Sequence, residues 1–95
     1  MDKLLSLMGL CHRAGKLSVG HDAVFDAVRK GRAKAVILTS DASPRHAREL
    51  EVASFPGRAI TAAFTMEQAG LATGKRSCVF SVDDEGFANA IEKTL

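Results

Sequence analysis

The chain has 95 residues, enough for one domain that buries its own core. Apolar residues make up 46% and charged residues 25%, an ordinary globular balance, and no apolar run approaches the 18 residues of a membrane span. The net charge of +2 is unevenly spread: residues 1–50 hold nine Lys/Arg against five acids and residues 51–95 four against six, which points one part of the molecule towards an anionic partner.

The opening Met-Asp-Lys-Leu-Leu-Ser-Leu-Met lacks the basic start, long apolar run and small-residue cleavage site of a secretory signal. Cys11 and Cys78 are too far apart for a metal knuckle and too few for a disulfide framework. The expectation is a cytoplasmic protein with both thiols reduced.

Residues 3–13 place Leu4, Leu5, Leu7, Met8, Leu10 and Cys11 at mixed helical spacing, which predicts a helix packed on more than one neighbour. Arg13-Ala-Gly-Lys16 then forms a basic, glycine-punctuated loop, with a brief strand near 17–19. A helix follows over about 21–30, with apolar residues at 23, 24, 27 and 28 on one face and Arg29, Lys30 and Gly31 at its close. A flexible loop that feeds a helix N-terminus offers backbone N–H groups and partial positive charge, which suits phosphate. Arg13 and Lys16 precede that terminus, so the stretch reads as a site for an RNA backbone.

Lys34-Ala-Val-Ile-Leu-Thr39 is a continuous apolar run, the pattern of a central strand covered on both faces. Ser43 and Pro44 are the N-cap and first residue of a helix running to about 54, with Ala47 and Leu50 turned inward. Phe55-Pro56-Gly57 breaks the chain before a second strand over 58–64 that puts Ile60 and Ala62 on one face. Thr65-Met-Glu-Gln68 is a capping-box pattern opening a helix over 66–73 that ends at Gly74. Lys75-Arg76-Ser77 is a basic loop, Cys78–Val82 a third strand, and Asp83 and Asp84 suit the start of a last helix with Phe87, Ala88, Ile91 and Leu95 inward. Helices alternating with strands predict a three-layer α/β/α sandwich on a mostly parallel or mixed sheet of about four strands, as a single domain over 1–95.

Catalytic patterns fail on spacing. A phosphate loop needs four residues between its glycines and Ser or Thr after the lysine; Gly9 and Gly15 have five between them and Leu17 follows Lys16, while Gly70 and Gly74 have three and Arg76 follows Lys75. Cys11 and His12 are adjacent on a helix and point about 100° apart, so the pattern predicts a buried thiol beside an exposed imidazole and not a nucleophile with its base. His12, His21 and His46 share no metal-type spacing with one another or with a cysteine pair, giving no expectation of a zinc site. The chain has no Trp or Tyr and most of its five phenylalanines read as core, which argues against stacking single strands and for contacts to the phosphates and shape of a structured RNA.

The assembled residues resemble a known family. Arg13-Ala-Gly-Lys16, Gly20, Gly31, Ala33-Lys34-Ala-Val-Ile-Leu38, Ser40-Asp41-Ala42-Ser43, Gly70-x-Ala72-x-Gly74-Lys75 and Asp84-Glu-Gly86-Phe87-Ala88, in this order between helices, are similar to the ribosomal seven-Ae/thirty-e family, above all its small bacterial members of the YlxQ type. The resemblance implies the same three-layer sandwich, no enzymatic activity, no cofactor, no small-molecule substrate and no membrane. It implies binding to kink-turn RNA, a sharply bent duplex with sheared G·A pairs, with ribosomal RNA and the ribosome among the possible partners. Carried over by position, Gly20, His21, Asp22, Ala23 and Asp26, with Lys30 one turn on, form the first patch. Lys75, Arg76, Ser77 and Cys78 form the second, with Asp41 and Ala42 alongside. The family's stretch commonly reads Gly-Thr-Asn-Glu-x-x-Lys; here Asp26 stands where a donating lysine is expected, Asp22 replaces the asparagine and Ala23 the glutamate. An acceptor-only carboxylate cannot donate to guanine O6. The alternative on the same scaffold is a protein–protein adaptor, with Asp22 and Asp26 facing a basic partner. If Arg13, Lys16, Lys30, Lys75 and Arg76 all met phosphate, the log–log salt slope would be about −4.

Overall fold

The structure is a computed structural model and describes residues 2–95. Its elements alternate as α1 (Lys3–Arg13), β1 (Leu17–Val19), α2 (His21–Arg29), β2 (Ala35–Leu38), α3 (Pro44–Val52), β3 (Arg58–Thr61), α4 (Met66–Thr73), β4 (Val79–Val82) and α5 (Glu85–Glu92). Local chemistry fixes most boundaries. Asp2 accepts from the Leu4 and Leu5 N–H groups, Ser43 from Arg45 and Asp84 from Phe87, so three helices start on a side-chain cap that meets otherwise unpaired donors. Thr65 and Gln68 form both halves of the predicted capping box, and α4 closes at Gly74.

The four strands make one mixed sheet in the order β1-β4-β2-β3. β4 pairs antiparallel with β1 and with β2, while β2 and β3 run parallel. The last strand in sequence therefore lies inside the sheet. Ala35, Ile37, Phe80 and Val82 face α1, α4 and α5, where Leu4, Met8, Cys11, Ala69, Ala88 and Ile91 fill one core. Val36, Leu38 and Val79 face α2 and α3, where Val24, Phe25 and Leu50 fill the second. The sheet with helices on both faces is the three-layer sandwich expected from the alternation. β2 and β4 are buried along their whole length, which is why each reads as an unbroken apolar or small-residue run.

Several side chains point differently from the sequence expectation. On α3 it is His46, not Ala47, that turns inward with Leu50, one helical turn apart; Ala47 is exposed. On α2 Ala23 is exposed and Phe25 takes the inward place. His12 is half-buried, and Leu95 is exposed because α5 ends at Glu92. β3 stops at Thr61, after which the Ala62 N–H still donates to the Leu38 carbonyl and Ala62 and Phe64 remain in the core. Among the described residues, no helix is long and apolar enough to cross a membrane.

The pairing gives the sheet two chemically distinct ends. At the front end β1, β2 and β3 finish and β4 begins; at the back end the directions reverse. Asp83 ties the back end together. Its carboxylate accepts from the Ser18 and Ser81 hydroxyls, and its N–H donates to the Lys16 carbonyl at 2.8 Å.

Candidate nucleic-acid interface

The front end gathers three segments. The first is the start of α2, set by Gly20. Its φ of 96° and ψ of 159° lie in a region that side chains bearing a Cβ resist, and this bend turns the strand directly into the helix. The Gly20 N–H donates to the Val79 carbonyl at 3.1 Å and its carbonyl accepts from Val24 at 3.0 Å. No side chain caps this helix start, in contrast to the other four. The first-turn N–H groups, with the partial positive charge of the helix behind them, are thus available to an anion.

The second segment, Lys75–Cys78, is folded by its own hydroxyls. The Thr73 hydroxyl contacts the Ala69 and Lys75 carbonyls, and the buried Ser77 hydroxyl donates to the Val79 carbonyl at 3.0 Å. Ser77 therefore shapes the entry to β4 and presents little to a ligand. Lys75 and Arg76 are exposed and form no ion pair among the described residues. The third segment follows β2. Asp41 accepts from the Met66 N–H at 3.0 Å, linking this loop to the start of α4, and Ala42 is half-buried against the α2/α3 core. The Thr39 hydroxyl and the Met66 N–H hold the Asp41 carboxyl below its usual range, with Arg76 contributing. The segments meet directly: Thr39 N–H donates to the Cys78 carbonyl at 3.0 Å, and Cys78 Sγ lies 3.4 Å from His46 Nε2.

At the seam of α2 and α3, the His21 ring packs on Phe25, with centroids 4.6 Å apart, and on His46 at 5.8 Å. His21 Nε2 lies 2.6 Å from a Glu49 carboxylate oxygen and Nδ1 3.3 Å from Asp22. The hydrogen bond to Glu49 is the main cause of a raised His21 pKa, with Asp22 second, and the same contact lowers that of Glu49. Glu49 plays no part in the sequence expectation, and His46 enters it only among the histidines whose spacing gives no expectation of a zinc site. The signal that finds them is their i, i+3 spacing on one face of α3.

The remaining predicted residues lie elsewhere. Lys16 is at the back end, its N–H bonded to the Cys11 carbonyl and its carbonyl to Asp83. Arg13 closes α1 and lines a groove with Leu71 and Ala72. Lys30 caps the C-terminal end of α2, about 13 Å along the helix from His21 at 1.5 Å per residue. Asp26 accepts from Lys30 and Arg32, each at 3.2 Å, with Arg29 at 3.9 Å. Its carboxyl is held low by those two near cations, Lys30 first. The acid that stands where the resemblance implies a lysine is thus paired with cations of its own chain.

Cys78 and His46 touch, but no group orients the imidazole: its Nδ1 is buried without a partner, so the pair lacks the third member that positions a catalytic base.

Residues 2–91 match the sequence model of the Ribosomal protein L7Ae/L30e/S12e/Gadd45 family. The chain belongs to this family. It is 34% identical over 94 residues to a protein of Bacillus subtilis named RNA-binding protein YlxQ, spanning 94% of this chain and 91% of that one. It is 29% identical to the Enterococcus faecium protein of the same name, over 98% and 91%. A solved structure of a Bacillus halodurans protein of unknown function superposes with a TM-score of 0.89 at 32% identity, covering 99% of this chain and 97% of that one. The Giardia lamblia 15.5kD RNA binding protein shares the fold at a TM-score of 0.78 and 20% identity, over 96% and 80%.

Proposed function

We propose that this protein is a non-enzymatic RNA-binding protein that docks a structured RNA of the kink-turn type. The observation that carries the reading is the uncapped start of α2 at Gly20, with Lys75–Cys78 beside it at the entry to β4 and Asp41–Ala42 next along the same end of the sheet. The names of the Bacillus subtilis and Enterococcus faecium relatives support RNA as the ligand class. In this reading the N–H groups of His21, Asp22 and Ala23 contact the RNA at its bend, and Lys75 and Arg76 meet phosphates. Asp22, fully exposed, accepts from an exposed guanine amino group. A kinked RNA offers the widened groove that a helix end needs, whereas a regular A-form duplex presents a groove too narrow to admit it. Ribosomal RNA is one source of such a motif, and the cytoplasm is where the protein would meet it.

Titration of a labelled kink-turn RNA at two salt concentrations, beside a straight duplex of similar length, tests the reading. Two or three phosphate contacts at the front end give a log–log salt slope of about −2 to −3, shallower than five dispersed cations would produce. The expected result is tighter binding to the kinked RNA, weakened by Lys75→Ala and by Arg76→Ala. Equal affinity for the two RNAs, or indifference to both substitutions, would refute it.

A further inference from the structure

We infer that His21, His46 and Glu49 form a binding site for a divalent transition-metal ion of zinc-like chemistry, at the seam where α2 and α3 meet the front end. Each residue offers one ligand atom, and the three atoms lie within 4.8 Å of one another. A tetrahedral zinc ion with bonds of about 2.0–2.2 Å holds its nitrogen and oxygen ligands about 3.3–3.6 Å apart, so modest side-chain rotation closes the set. Two imidazoles and one carboxylate are a recurrent zinc ligand set, and His46 and Glu49 supply two of them from a single helix face.

Hydrogen-bond accounting separates this site from an ordinary ion pair. His21 and Glu49 satisfy each other at 2.6 Å, but His46 does not share in that exchange. Its residue is 7% exposed, its Nδ1 has no partner, and its Nε2 has only the weakly bonding Cys78 sulfur at 3.4 Å. A buried imidazole with an unmet nitrogen is costly unless a lone-pair acceptor is to arrive. The surroundings prepare the other two ligands. Asp22 beside His21 Nδ1 holds the ring proton there once an ion replaces the proton that Nε2 donates to Glu49, and Arg45 engages Glu49 Oε1 at 3.5 Å, leaving Oε2 facing His21. His21 and Glu49 are partly exposed, which gives the ion a way in and leaves a coordination position open to water.

Calorimetric titration of Zn²⁺ alone into the full chain, without RNA, tests the site independently of the RNA reading. The expected result is one equivalent bound, weakened at least about tenfold in His21→Ala and in Glu49→Gln, and unchanged in His12→Ala. Both sensitive positions are partly exposed, so the variants keep the fold, which thermal unfolding without metal verifies. Absence of stoichiometric binding overturns the inference. So does binding that is equal in the wild-type chain and in both variants, because the ion would then reside on other surface groups.

Discussion

Cys11 and Cys78 carry the same thiol and meet opposite surroundings. Cys11 is fully buried, donates to the Lys16 carbonyl at 3.2 Å, and has its pKa pushed up from 9.0 to about 11, first by burial and then by Asp83 and Asp84. Cys78 is half-buried at the front end. A thiol-specific reagent at pH 8 is therefore expected to label one cysteine in the folded protein and two in denaturant. Rapid native labelling of both would contradict the burial. The sign of the pH effect follows: a raised thiol pKa contributes stability that is whole below 9.0 and is lost as pH climbs through about 11. The buried thiol was legible from sequence because adjacent helical residues cannot both face the core. The buried His46 was not, because a polar residue beside Ala47 gives helical periodicity no reason to choose it. Its contact with Cys78 comes from a loop 32 residues away.

Among elements, α4 and α2 begin in opposite ways, and substitutions should separate them. α4 starts on a complete capping box, so Thr65→Ala should cost about 1 kcal/mol and lower the melting temperature by about 4–8 °C. α2 starts on a strained glycine whose added Cβ would meet nothing within 4 Å, so Gly20→Ala acts through the backbone alone, at about 1–3 kcal/mol. In urea, Gly20→Ala should lower the midpoint without changing the slope, and a changed slope would mean that the strand-to-helix turn itself had rearranged. Caps made the helices readable: Ser43-Pro44, Thr65–Gln68 and Asp84 each state a start in side-chain chemistry. The apolar pattern extends β3 past Thr61 because Ala62 and Phe64 stay buried after the ladder has ended, and burial alone does not distinguish a strand from the irregular chain that follows it.

Across the whole molecule, the basic residues divide between the two ends of the sheet. Lys16 sits at the back, and Lys30 closes the far end of α2 in an ion pair with Asp26, while Lys75 and Arg76 sit at the front. On the RNA-docking reading, Lys16→Ala and Lys30→Ala should leave the salt slope within error of the wild type. Lys75→Ala should reduce its magnitude by about 0.9, the increment for one phosphate. A single sequence shows the count of cations but not this division, because it depends on which strands become neighbours. The same strand order has a consequence for the making of the protein. Among the described residues β1 lies at the sheet edge with β4 as its one hydrogen-bonded neighbour, and β2 needs β4 on one side, so both early strands wait for residues 79–82. A nascent chain emerging amino-terminus first can form helices as it goes, but it cannot close its sheet until residues 79–82 have been synthesised. Closure of the sheet is tied to the synthesis of β4, and chains stopped before Val79 would be left with unpaired strands and be targets for proteolysis.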